Sequence, residues 1–244
     1  MIVPVILLGL IFGSFLSSVT WRIPRNIRIL DLHSRSICPE CHNVISWCDN
    51  IPLLSYLLLK GRCRHCHKPI SLRYPLIEFS TVVLFVVLYF LTNAYSPVPS
   101  AYILWPIALL LLAIFVIDFE HQIIPDELSF LIIFLGVINL IFISPQFFYV
   151  NILSGLCAAL FLLLTHLITK GKGMGLGDVK LVLAVGLILG WPGTLVWMYA
   201  AFLIGAVTGL ILILVGKAKF RVPIAFGPFL ALAFLVALLY AKIF

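Results

Sequence analysis

At 244 residues, 63% of them hydrophobic and only 10% charged, with a mean hydropathy of +1.21, this chain lacks the polar side chains to cover a soluble fold, which is about half apolar and a quarter charged. The lipid bilayer must therefore be the solvent for most of it. The formal charge of +7 would imply an anionic partner in a soluble protein, but here the charges are distributed as membrane topology requires, and nucleic acid is not needed to explain them.

At roughly 20 apolar residues per span there is room for about eight helices. The apolar runs predict an all-α polytopic membrane protein with spans near 2–20, 75–93, 101–119, 128–144, 151–169, 179–190, 195–215 and 224–243. They divide the chain into a first transmembrane helix (1–21), a polar, cysteine-rich loop (22–73) and a membrane domain of seven helices (74–244). The first run has no basic segment before it, and Arg22, Arg25 and Arg28 follow it. It is expected to be a retained helix inserted N-terminus outward, not a cleaved leader.

Basic residues fall on alternate connections. The 22–73 loop holds nine Lys and Arg, the 170–180 segment holds Lys170, Lys172 and Lys180, and the 216–221 segment holds Lys217, Lys219 and Arg221. The connections 94–100, 145–150 and 191–194 hold none, and Lys242 is the one basic residue left. Excess positive charge marks the cytoplasmic side, so the loop is predicted to be cytoplasmic and both termini outside. The span 179–190 is short and Gly-bounded. Short or broken helices are tolerated in a membrane only where they line protein or water.

Within the loop, Cys38-Pro-Glu-Cys41 and Cys63-Arg-His-Cys66 are two C-x2-C knuckles separated by 21 residues. Each can hold one metal from a tight turn, and together they supply four thiolates, a tetrahedral set suited to zinc. A cytoplasmic setting argues against structural disulfides, leaving a redox dithiol or a metal-free loop as the alternatives. Cys48, His42, His65 or His67 could replace one ligand. Four thiolates leave zinc no open position, so the ion would be architectural. The loop is short for a hydrophobic core, and such segments need a staple of this kind. Cys157, alone in an apolar span, is expected to be a small packed hydrophobe.

Acidic groups are costly inside a membrane, so each of the nine in the chain needs a reason. Asp31, Glu40 and Asp49 belong to the polar loop, and Glu78 lies near Arg73. Asp126 and Glu127 follow Pro125 and suit the first turn of a helix. Asp118 ends the apolar run 108–117, and Asp178 follows Gly175-Leu176-Gly177. Topology puts both carboxylates at the cytoplasmic edge at similar depth. Taken singly, each is accounted for as a solvated interfacial carboxylate. Two held close share a proton, so that the ionised one takes a proton from water while the other donates to a scissile carbonyl. Peptide hydrolysis on that scheme needs no metal. Gly175 and Gly177 suit a place where a substrate backbone approaches closely. A serine triad lacks its elbow, and the stretch 171–177 fails both phosphate-binding glycine patterns.

The chain resembles the type IV prepilin peptidases almost end to end. The residues that carry the likeness are Gly13-Ser-Phe-Leu-Ser-Ser-Val-Thr-Trp-Arg-Ile-Pro24, both cysteine knuckles, Trp47, Asn50-Ile-Pro-Leu-Leu-Ser55, Gly61-Arg62, Arg73-Tyr-Pro75 through Glu78, Asp118 with Ile124-Pro-Asp126, Gly173-Met-Gly-Leu-Gly-Asp-Val-Lys180 and Pro223-Ile-Ala-Phe-Gly-Pro-Phe229. Where that family usually has Asn after Ser-Phe-Leu, this sequence has Ser17. The resemblance implies a bacterial inner-membrane enzyme that removes the leader of type IV prepilins or pseudopilins after a Gly on the cytoplasmic side. It implies Asp118 and Asp178 as the catalytic pair. It also implies N-methylation of the new first residue from S-adenosylmethionine, linked to the cysteine loop. Two other functions compete: a general G-x-G-D intramembrane protease, and a non-enzymatic proton-coupled transporter or scaffold. Oligomeric state is not encoded in any motif here.

Overall fold

The computed structural model describes residues 2–27, 36–93, 99–143, 145–216 and 224–243. Arg28, Asp31, Arg35, Lys217, Lys219 and Arg221, used above for topology and charge, lie outside the described residues. The described chain is helical and contains no named strand. Its helices are α1 (Ile2–Arg22), α2 (Leu54–Leu58), α3 (Arg73–Asn93), α4 (Pro99–His121), α5 (Asp126–Ile138), α6 (Phe148–Ile168), α7 (Leu176–Leu214) and α8 (Gly227–Ile243). Five described stretches are long and apolar enough to cross a membrane: Ile2–Arg25, Arg73–Thr92, Ile103–His121, Pro145–Ile168 and Leu176–Leu214. Large apolar side chains point outward along them, with Ile168 and Leu214 each more than three-quarters exposed. That inverts the pattern of a water-soluble fold and suits lipid contact.

The expected spans 128–144 and 224–243 fall on α5, with the π-helical turn Asn139–Ile143 after it, and on α8. The expected spans 179–190 and 195–215 share the single stretch α7, and no loop separates them. Instead α7 is broken at Gly190 (φ 60°, ψ −166°) and Trp191 (φ −93°, ψ 138°). The first of these conformations is open essentially to glycine alone. A break frees backbone carbonyls, which must be satisfied locally in a membrane. Asn151 Nδ2 donates to the Leu187 carbonyl at 3.1 Å, and Thr194 Oγ1 donates to that of Gly190 at 2.8 Å.

The chain forms two compact units, 1–90 and 91–244. In the first, α1 and α3 approach so closely that a Cβ on Gly9 or Gly13 would stand 2.8 Å from the Cα of Val82 or Glu78. Arg73 donates to Thr20 Oγ1 at 3.0 Å, tying the start of α3 to the end of α1. Buried Glu78 accepts the Leu53 N–H at 2.8 Å. Leu53 occupies a tight turn at φ 58°, ψ −46°, closed by the Leu54 N–H on the Pro52 carbonyl at 2.6 Å, and such turns are rare and strained for a residue with a side chain. In the second unit, α7 packs on α5, α6 and α8, and α4 packs on α5 and α8. Gly155 of α6 and Gly186 of α7 meet backbone to backbone. The fully buried Trp197 donates its indole N–H to the Leu230 carbonyl at 2.8 Å, fixing the height of α8 against the second limb of α7.

Candidate active site

In the second unit two acidic side chains are buried at the ends of helices. Asp118 lies on the last turn of α4 and is 5% exposed, and Asp178 lies on the first turn of α7 and is 8% exposed. Each has one oxygen held by a glycine amide. Gly227, the first residue of α8, donates its N–H to Asp118 Oδ2 at 2.8 Å. Gly175, the residue before α7, donates to Asp178 Oδ2 at 3.1 Å. Both carboxylates thus sit at the N-terminal end of a helix, where free amides and the helix dipole favour negative charge.

Helix capping accounts for only half of Asp178. A carboxylate three residues after the N-cap ordinarily turns its other oxygen to water, but Asp178 Oδ1 is buried with no hydrogen-bond partner in the structure. A buried polar atom left this way calls for a function or a ligand. Around it, Ile124 packs on Gly177, so that a Cβ there would stand 2.9 Å from the Ile124 Cβ. Asp126, on the first turn of α5, pairs with Lys180 at 2.7 Å. His166 Nδ1 meets the Met174 carbonyl at 2.7 Å, pinning the glycine-rich turn before α7. Of the two glycines singled out from the sequence, Gly175 supplies the amide that holds Asp178, and Gly177 lets Ile124 close on α7. Gly227 was not singled out from the sequence. Its signal was its place in the closing Pro-Ile-Ala-Phe-Gly-Pro segment.

In the first unit, Cys38, Cys41, Cys63 and Cys66 bring all four sulfurs within 4.8 Å of one another, with Cys38 Sγ and Cys66 Sγ 4.0 Å apart. A tetrahedral zinc ion with Zn–S bonds of about 2.3 Å needs sulfurs roughly 3.8 Å apart, so the four could hold a metal such as zinc. Cys48 and the neighbouring histidines are not in the cluster. The two knuckles repeat one design. In each, the first cysteine accepts an N–H from a histidine with φ 55° (His42 on Cys38, His67 on Cys63) and donates its own N–H to the carbonyl of Asn43 or Lys68. One antiparallel bridge flanks each knuckle, Ile37 with Val44 and Arg62 with Pro69. The Cys66 amide pointing at its sulfur lowers the Cys63 thiol to about 6. At Cys66 the Lys68 amide is outweighed by burial and the other three sulfurs, which push that thiol up to about 11, as expected where four thiols crowd together. Glu40 and Lys68 pair across the two knuckles.

Family models match parts of both compact units. Residues 7–92 match the bacterial peptidase A24 N-terminal domain, and residues 105–214 match the type IV leader peptidase family. A prepilin leader peptidase/N-methyltransferase of Aeromonas hydrophila is 37% identical over 211 residues, covering 84% of this chain and 71% of the relative. Proteins of the same name are 36% identical over 234 residues in Aeromonas salmonicida, covering 94% of this chain and 79% of the relative, and 33% identical over 278 residues in Pseudomonas aeruginosa, covering 96% and 89%. No solved structure matches. With two successive domain matches and relatives aligned over 84–96% of this chain, the chain belongs to the type IV leader peptidase family.

Proposed function

We propose that this chain is a membrane aspartyl endopeptidase that removes the leader of type IV prepilins or pseudopilins after a Gly on the cytoplasmic side, with Asp118 and Asp178 as its catalytic pair. The observation that carries this is the buried carboxylate pair, each member gripped at one oxygen by a helix-terminal amide, with Asp178 Oδ1 left over. That free oxygen is the natural acceptor for the attacking water. The pair holds one proton between two carboxyls, the ionised member drawing a proton from water as the other donates to the scissile carbonyl. Gly175 leaves room beside Asp178 for a substrate backbone, whereas at Gly177 the space a side chain would take is filled by Ile124, which shapes the wall of that site. A lateral opening between helices would admit a substrate whose own N-terminal helix lies in the bilayer.

Eight traverses are part of the proposal. A straight 39-residue α7 would be about 58 Å long, nearly twice the hydrocarbon core, so its two limbs are assigned to separate passages meeting at Gly190. The organisation is then a first helix (1–21), a cytoplasmic zinc-binding loop (22–73) and a seven-helix catalytic domain (74–244), with both termini outside. Zinc in the four-cysteine site holds the loop together and takes no part in hydrolysis.

The relatives' name also implies methyl transfer, and we include N-methylation of the new N-terminus from S-adenosylmethionine. The cavity beside Cys63 is lined by Lys60, Arg62 and Arg64, a poor fit for a sulfonium cation, and no step is placed there. Incubating the purified chain with a full-length prepilin in lipid, with and without S-adenosylmethionine, tests both activities by mass spectrometry. The expected product has lost its leader after Gly and gains one methyl mass only when the donor is present. Cleavage of unrelated membrane proteins with an untouched prepilin would instead mark a general intramembrane protease.

The amide grip on Asp118 gives a second test. A Cβ at Gly227 would stand 2.7 Å from Asp118 Oδ2 and 3.1 Å from its Cγ. Gly227→Ala, harmless to helix α8 by propensity, is therefore expected to displace the carboxylate. Misplacement by about 1 Å costs on the order of 100-fold in rate, so cleavage should fall by that factor while insertion and melting temperature are kept.

A further inference from the structure

The cysteine-rich loop carries a cavity of about 520 Å³ lined by Leu58, Leu59, Lys60, Arg62, Cys63, Arg64 and His67. Its cations are not all accounted for within the loop. Asp49 holds Arg64 at two points, Nε to Oδ2 at 2.8 Å and Nη2 to Oδ1 at 2.6 Å, and Glu40 holds Lys68. Among the described residues Lys60 and Arg62 have no acidic partner. The same stretch exposes apolar side chains, with Leu57 at 72%, Leu58 at 74% and Trp47 at 82% exposure. Exposed leucines beside unpaired cations, with an exposed tryptophan in the same loop, form the pattern of a surface that sits in the headgroup layer of an anionic membrane.

The chain's path keeps this surface near lipid. Arg62 bridges to Pro69, four residues before Arg73, where the span Arg73–Thr92 begins. At no more than about 3.6 Å per residue, plus roughly 5 Å across the bridge, Arg62 lies within about 20 Å of the span's end. The headgroup layer extends roughly 5–8 Å beyond the hydrocarbon core, and the long side chains of Lys60 and Arg62 cover part of the remainder.

From the cavity, its two uncommitted cations and its apolar edge, we infer that this part of the loop binds the phosphodiester headgroup of an anionic phospholipid from the membrane in which the chain sits. The leucines rest against acyl chains, and Lys60 and Arg62 meet the phosphate. The competing account is that these cations balance the net double negative charge of a zinc tetrathiolate.

The full-length, zinc-loaded chain in nanodiscs of phosphatidylcholine with phosphatidylglycerol carrying a photoreactive headgroup tests the two accounts together. Crosslinks are expected on the 54–64 segment. Lys60→Gln combined with Arg62→Gln should remove them and weaken short-chain phosphatidylglycerol binding by native mass spectrometry roughly 20- to 30-fold, about fivefold for each cation. Binding of phosphatidylcholine, whose phosphate is offset by its own choline cation, should fall much less, zinc content should not change, and the charge-preserving pair Lys60→Arg with Arg62→Lys should keep the crosslinks. The inference is overturned if the crosslinks survive the double glutamine variant or if that variant loses zinc. It is overturned equally if millimolar inorganic phosphate or an acidic peptide displaces the lipid, since the site would then belong to a soluble anion or a protein.

Discussion

Asp118→Asn and Asp178→Asn are each expected to lower prepilin cleavage, measured as a single-turnover rate, by 10³- to 10⁴-fold or more. Asparagine nearly matches aspartate in shape and keeps a carbonyl oxygen that can accept the Gly227 or Gly175 amide, so the local hydrogen bond survives. What it removes is the capacity to take or give a proton, and general acid–base catalysis supplies about 10²- to 10⁴-fold for each positioned group. Members of a catalytic unit are strongly non-additive, so the double variant should be little worse than either single one. If either variant inserts normally, keeps its melting temperature and still cleaves at full rate, the pair is not the catalytic apparatus. If cleavage persists in both while an ion flux disappears, the carboxylates serve transport.

Removal of the metal should have the largest effect on structure. Cys38→Ser with Cys63→Ser is expected to abolish bound zinc, measured by metal analysis of the purified chain, and to unfold the loop between α1 and α3. Among the described residues 36–72, the buried residues are Cys38 and Ser55, so the loop has almost no apolar core to fall back on. A structural zinc site contributes on the order of 10–16 kcal/mol of binding free energy, most of it realised as local folding. Limited trypsin digestion at Lys60 and Arg62 should therefore accelerate at least 100-fold, and a chelator should do the same to the unmodified chain. Retention of zinc by the double variant, or unchanged trypsin resistance without it, would overturn the architectural role.

Much of this was legible in the sequence because single residues carried it. Four cysteines in two x2 knuckles can hardly be placed otherwise, and the sulfurs converge as their spacing requires. Asp118 and Asp178 stood out because a carboxylate at a membrane edge needs a reason. Pairings across long separations were not legible. Nothing local to Asp118 announces that Gly227, 109 residues later, will hold it. Nor does anything near Glu78 predict that it holds a strained leucine amide in the preceding loop. Each depends on packing that a linear pattern does not encode. The broken α7 lies between these cases. A short glycine-bounded run was visible, but the sequence suggested a connecting loop where the chain turns at two residues. Both knuckles read Cys-x-x-Cys-His, but the shared positive φ of His42 and His67 is visible only in the folded turn.

The break in α7 makes the first limb a lever. Asp178 stands twelve residues from Gly190, about 18 Å of helix, so a tilt of 10° at the break would swing the carboxylate by about 3 Å. Catalytic geometry tolerates on the order of 0.5 Å. A lever that long is usable only if clamped along its length, and the packing bears this out. Leu181, Val182, Ala184 and Val185 are fully enclosed, whereas Val207, Leu210 and Leu214 on the far limb are at least half exposed. Truncating Leu181 or Val182 to Ala should thus cost cleavage beyond what the accompanying loss of stability explains, whereas the same truncation at exposed Val207 or Leu210 should change neither; Trp197, buried on the far limb, is not part of that contrast.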